Sequence, residues 1–248
     1  MGRDFIDTFR IGLGYKQASE LYCIIELNDG GFMEIFWYGH SCFKITERGM
    51  VSVVCDPFDH KQIGYDPLKL KADIVTISNQ TPGHNHLPGV KGYTFEVTSP
   101  GEYEIGGVFI TGVQTNGFNK KNENEPRNTL FVIDYNGISV AHLGRLDRVP
   151  TQTEVEALGS VNICLVPVGG DGALNAAKAA EVISLLEPSL VVPMMYAMPA
   201  SLIKLDPLSK FLKEMGLSST ETKPSLKVTR ASDLPEETQV IVLDIQKS

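Results

Sequence analysis

The sequence lacks the features that most readily assign a chain to a class. Nowhere in its 248 residues is there an apolar run near the ~20 needed to cross a bilayer, and no block of Lys or Arg occurs. With a formal net charge of −8, the balance argues against a nonspecific nucleic-acid or anionic-membrane footprint. The four cysteines, Cys23, Cys42, Cys55 and Cys164, include no C-x-x-C, so neither a zinc ribbon nor a disulfide framework is indicated. Reduced, buried thiols in a cytoplasmic protein are expected instead. Cys42 and Cys55 could face each other across a hairpin turning near Glu47–Gly49. Arg3, Asp4, Asp7 and Arg10 interrupt the first ten residues, which rules against a secretory signal. Histidine is scarce: five in all, none between His86 and His142 and none beyond His142.

What is present is an ordinary globular composition, 42% hydrophobic and 21% charged, and length enough for one large domain or two small ones. Residues 1–32 end in the breaker Asn28-Asp-Gly-Gly31 and are expected to form a peripheral or poorly ordered extension. A domain over 33–248 follows. Its first half reads as closely spaced strands, including a hairpin over 129–142 turned by Asn136-Gly137. A short helix or turn is expected at Pro67–Leu70, and a polar loop from Asn116 to Arg127. The second half alternates helices and strands, with Asn175 as an N-cap and Gly216 as a C-cap. Two β-rich halves, each followed by helices, suggest two packed sheets with helices outside.

The stretch from Ala72 to His86 organises the chain. A β-branched run, Ile74–Ile77, ends abruptly in polar and turn residues, where a rigid strand can aim side chains at one point. A metal-using hydrolase would place H-x-H-x-D-H there, because imidazoles and a carboxylate hold a dication and acidify its bound water. In that register stand Asn79, Thr81, Gly83 and His84.

The chain resembles the metallo-β-lactamase superfamily, in particular its broad metal-dependent hydrolase branch, over roughly Met33 to Ile245. The landmarks are Trp37-Tyr-Gly-His-Ser-Cys-Phe43, Cys55-Asp-Pro-Phe58, Asp73-Ile-Val-Thr-Ile-Ser78 and Pro100-Gly-Glu-Tyr-Glu104. Asn128–Ile133, His142-Leu-Gly144, Val166–Gly170 and Val192–Tyr196 continue the series. The resemblance implies a four-layer αββα sandwich with a metal site at one edge. It carries the remaining ligand positions onto Asn116, Arg145 and Met195. Asn and Thr oxygens are weak ligands, Gly has none, and a thioether suits soft copper rather than zinc or manganese. Arg145 would reverse the charge at the bridging position.

Other candidates read as follows. His84 and His86 form H-x-H, which on a strand could chelate one zinc or manganese ion; otherwise His84 packs beneath the loop. His40 is expected to be a hydrogen-bonded structural residue and His60 a solvated loop residue. Asp56 is expected to cap its own Asp-Pro turn. Arg145 either pairs with Asp56 or Asp147, or holds an anionic ligand through its planar fork. Gly169-Gly-Asp-Gly172 is expected to be turn chemistry, and no G-x-S-x-G occurs. The leading expectation is a protein of this fold with a degenerate metal site. It would need no cofactor and act by binding a small anionic ligand or a protein partner, without nucleic acid or membrane. The alternative is a metal-dependent hydrolase with a remodelled single-metal site of His84 and His86, with Asp56 as a further candidate.

Overall fold

The computed structural model describes residues 31–115 and 127–248. The expected extension over 1–32, apart from Gly31 and Phe32, and most of the polar loop, Asn116 included, lie outside them. In chain order the elements begin with β1 (Met33–Trp37), β2 (Phe43–Glu47), β3 (Val53–Cys55), α1 (His60–Ile63), β4 (Leu70–Lys71) and β5 (Ile74–Thr76). They continue with β6 (Val90–Lys91), β7 (Phe95–Val97), β8 (Gly101–Ile105), β9 (Val108–Thr115), β10 (Asn128–Tyr135) and β11 (Ile138–His142). The last are α2 (Gln152–Leu158), β12 (Ile163–Pro167), α3 (Ala176–Leu186), β13 (Leu190–Met194), α4 (Leu208–Glu214), β14 (Glu221–Lys223), β15 (Leu226–Val228) and β16 (Gln239–Leu243).

Two sheets dominate: a six-stranded one ordered β15-β1-β2-β3-β5-β7 and an eight-stranded one ordered β14-β16-β13-β12-β11-β10-β9-β8. Alternation along β1 turns Met33, Ile35 and Trp37 inward and leaves Glu34 and Phe36 half-buried. β12 and β13 are buried along their whole length, as continuous apolar runs covered on both faces should be. Between the sheets Trp37, Phe43, Ile45, Phe131, Ile133 and Tyr135 share one apolar core with essentially no exposure. Each such side chain contributes roughly 1.5–3 kcal/mol by leaving water. α3 lays Ala179, Val182 and Ile183 against the outer side of the eight-stranded sheet. The opposite outer layer is a second cluster, with Cys42, Val54, Phe58, Ile63 and Val75. This is the expected αββα sandwich.

Local chemistry sets several boundaries. Thr151 caps α2 with a full capping box to Glu154, and Asn175 caps α3 through Lys178 N–H. Asn136 and Gly137 both take positive φ, 52° and 84°, as a tight hairpin turn between right-twisted strands requires.

Some expectations fail. The helix lies at His60–Ile63, where Asp59 accepts from Lys61 N–H, and not at Pro67–Leu70; Leu70 instead pairs with Val90 in a two-residue ladder. Phe43 sits opposite Cys55, so Cys42 is one residue out of register and on the other face. Cys42 joins the outer cluster and Cys55 the inter-sheet core, which excludes a bond between them. Burial pushes the Cys55 and Cys164 thiols up to about 12, so both are poor nucleophiles.

Candidate functional site

β3 and β5 run parallel in one sheet, and β11, β12 and β13 run parallel in the other. Their C-terminal ends therefore gather at one edge of the sandwich, where Asp56, Ser78, His142 and Met195 follow or end the strands. Asp56 is completely buried and takes a positive φ of 45°. Its carboxylate does not cap its own turn. Oδ1 accepts from Ser78 N–H at 2.7 Å, and Oδ2 accepts from Ser78 Oγ at 2.5 Å. His84 Nδ1 stands 2.7 Å from the same Oδ2. The acid at the end of β3 thus ties down the start of the loop that follows β5.

This network fixes tautomers. A carboxylate can only accept, so His84 Nδ1 carries a proton and Nε2 keeps the lone pair. Ser41 Oγ lies 2.9 Å from that same Nδ1. A serine nucleophile and its orienting acid must use opposite ring nitrogens, so Ser41, His84 and Asp56 are no catalytic triad despite their composition. His142 Nε2 donates to the Ser41 carbonyl at 2.9 Å, which leaves its Nδ1 bare, 3.9 Å from Asp56 Oδ2. Burial alone would raise the Asp56 carboxyl, but His142, His84 and the hydrogen bonds outweigh it and hold it below its usual range. Burial lowers His142 against the pull of Asp56, and lowers His40 further because His84 lies beside it.

The remaining candidates divide between the cavity wall, where Thr81, Gly83, Arg145 and Met195 stand, and positions behind it. Asn79 is buried, and its amide closes a local turn, Oδ1 accepting from Thr81 N–H and Nδ2 donating to the Arg127 carbonyl. A Cβ on Gly83 would lie 2.7 Å from His40 Nε2, so an aspartate there would displace that ring. Met195 is buried at φ 53°, its N–H donating to the His40 carbonyl. Arg145 pairs with neither Asp56 nor Asp147. Its backbone N–H donates to Asn128 Oδ1 at 2.7 Å and its Nη2 to the Asp171 carbonyl at 3.2 Å. Asp147 offers its carbonyl to Lys178 Nζ. Gly144 turns the chain into Arg145 at φ 55°, where a Cβ would fall 2.2 Å from Ser78 Oγ. The Gly169–Gly172 stretch is a turn, as expected, and Asp171 is its contribution to the site.

Two histidine expectations are corrected. His40 is buried, but its Nδ1 has no hydrogen-bond partner among the described residues. His60 opens α1, half-exposed beside Asp59. His84 and His86 lie on turns beyond β5, not on a strand, and only His84 borders the cavity at this edge. His84, His86 and Asp56 therefore do not converge; among the described residues no three His, Cys, Asp or Glu side chains could hold one ion. The donors at the expected ligand positions, one imidazole nitrogen with amide, hydroxyl, thioether and guanidinium neighbours, do not fit a dinuclear zinc centre. Sequence reasoning missed Ser41, Ser78, Asn128, His142 and Asp171 as site residues. His142 alone had a signal, a histidine closing a buried strand.

A two-sheet αββα sandwich with a strand-end site at one edge defines the metallo-β-lactamase class. Residues 34–195 match the family model of the beta-lactamase superfamily domain, and the chain belongs to that family. A Thermotoga maritima member of the metallo-β-lactamase superfamily is 36% identical, with a TM-score of 0.70, over 86% of this chain and 100% of that one. A UPF0173 metal-dependent hydrolase of Thermoplasma acidophilum is 24% identical over 202 residues, 71% of this chain and 88% of the relative. A UPF0173 protein of Pyrococcus furiosus is 26% identical over 185 residues, 66% of this chain and 83% of the relative. The protein is hydrolase-like in fold and family, and among its described residues no helix is long and apolar enough to cross a membrane.

Proposed function

We propose that this chain is a superfamily member whose metal positions have degenerated, and that it acts by binding a ligand or a protein partner rather than by metal-dependent hydrolysis. One observation carries the reading. The Asp56 carboxylate and the His84 Nδ1 proton satisfy each other, with Ser78 completing the set, so the hydrogen-bonding capacity of the buried acid at this edge is taken up by protein alone. Arg145 supports it, because a fixed cation beside the site repels a dication by about 2–8 kcal/mol at ~4 Å in water-like to surface-like dielectric. Resident ligand and charge then belong to an anion rather than to zinc. A cytoplasmic setting is part of the proposal, supported by the free, buried state of Cys42, Cys55 and Cys164.

The names carried by the relatives favour a second reading, a metal-dependent hydrolase; the ion proposed for it is a single zinc or manganese. His84 Nε2 is the nitrogen that would serve it. Elemental analysis of chain purified without chelator and dialysed against zinc and manganese separates the two. Less than about 0.1 ion per chain supports the first reading. One ion per chain retained through dialysis, and lost in His84→Ala, would establish the second and end the first.

A further inference from the structure

The cavity at the site edge has a volume of about 210 Å3 and two kinds of wall. Met195, Ile203 and Leu205 form an apolar side, while His40, His84 and Arg145 line the polar side. Among the described lining residues Arg145 is the only permanent cation, and Asp171, exposed at the same cavity, is the only carboxylate.

The guanidinium is placed rather than left to wander. The Arg145 backbone is pinned by Asn128, and Nη2 is pinned by the Asp171 carbonyl. Gly172, at φ 78°, would carry a Cβ 2.1 Å from Nη2, so the arginine lies against a position that only glycine leaves open. That single side-chain bond among the described residues uses one of five N–H donors. His40, 2% exposed, borders the same cavity, and its enclosed Nδ1 has no hydrogen-bond partner among the described residues.

We propose that this cavity binds a small organic monocarboxylate, its carboxylate on the Arg145 guanidinium and its short apolar chain against Ile203 and Leu205. The inference rests on the metal-free reading above and narrows its ligand class. Charge favours a monoanion over a dianion: the described lining holds a single permanent cation, Arg145, and the Asp171 carboxylate beside it repels each further negative charge that phosphate or succinate would bring. Size favours a short chain, since the cavity holds roughly seven waters' worth of volume at ~30 Å3 each. The planar fork of arginine matches a carboxylate through two parallel N–H donors.

Calorimetric titration of the full chain with butyrate, its neutral isostere butyramide, succinate and inorganic phosphate tests this. Butyrate should bind at least about tenfold more tightly than the other three, and Arg145→Gln should weaken it about tenfold or more, with Arg145→Lys in between. Butyramide or phosphate binding as tightly as butyrate, or butyrate binding Arg145→Gln unchanged, would overturn the proposal. The comparison of butyrate with butyramide needs no variant, so it stands if Arg145→Gln misfolds. A zinc titration of the same sample keeps the two levels apart. Stoichiometric zinc that displaces butyrate sinks the metal-free reading, whereas neither zinc nor butyrate binding sinks only the carboxylate assignment.

Discussion

Asp56 Oδ2 and His84 Nδ1 lie 2.7 Å apart with 0% and 1% of their side chains exposed, joining the end of β3 to the loop after β5. Asp56 also receives both donors of Ser78, so one carboxylate anchors two separate segments. Removing it leaves both Ser78 donors unpaired and the His84 Nδ1–H with Ser41 Oγ alone. Asp56→Ala should cost about 3–5 kcal/mol, read as a lower urea midpoint at unchanged slope. A midpoint within error of the parent chain would show the network to be marginal.

The same cluster makes stability sensitive to acid, in two stages. His40 and His142 are held below their ordinary value chiefly by burial, so between their folded pKa and about 6.5 the unfolded chain binds more protons. Stability is therefore full above that value and falls as pH drops below it. Asp56, also lowered in the folded state, adds a second loss as pH falls below about 3.9 toward its folded value. Urea midpoints at pH 8, 6 and 5 should decline steadily. His40→Gln should flatten the decline in this range, and an unaltered slope would remove His40 from the account.

Gly144 packs tightly against the Asp56 network. An alanine would drive its Cβ to 2.2 Å from Ser78 Oγ and 2.6 Å from Asn128 Oδ1 at a positive φ. Gly144→Ala should destabilise by about 2–4 kcal/mol and displace Arg145, whose N–H depends on Asn128. Gly137→Ala, with open space around its Cβ, is the control; strain alone should cost it about 1 kcal/mol. Equal losses in thermal melts would refute the steric explanation.

At the start of α2, Thr151 Oγ accepts from Glu154 N–H while Glu154 accepts from Thr151 N–H and from Arg148. Arg148 foremost brings the Glu154 carboxyl down to about 2. Thr151→Ala should cost about 1 kcal/mol and leave ligand binding untouched. Loss of butyrate affinity in this variant would mean that α2 reaches the cavity in a way its position does not suggest.

Much of the architecture was legible because it follows local rules. The β-branched run at Ile74–Ile77, the Asn136-Gly137 turn and the Asn175 cap each act within a few residues of themselves, and each forms as expected. The short α1 and the β4–β6 pair escaped because neither has enough residues for a period to show. At the site, the types of residue present at Asn79, Thr81, Gly83, Arg145 and Met195 were plain, but their partners were not. Asp56 was expected to serve its own turn and instead serves Ser78, 22 residues later.

By itself, the sequence determined the sandwich, its strand periods, its caps and turns, and the kinds of donor atom at one edge. Only the tertiary structure decided who meets whom there. It set Cys42 and Cys55 on opposite faces, separated His86 from His84, brought His142 to Ser41 across 101 residues, and laid Arg145 on Gly172. The physical reason is that periodicity and capping act over one to four positions. A buried charge instead takes its partners from whichever parallel strand ends the packing of two sheets brings to the same edge.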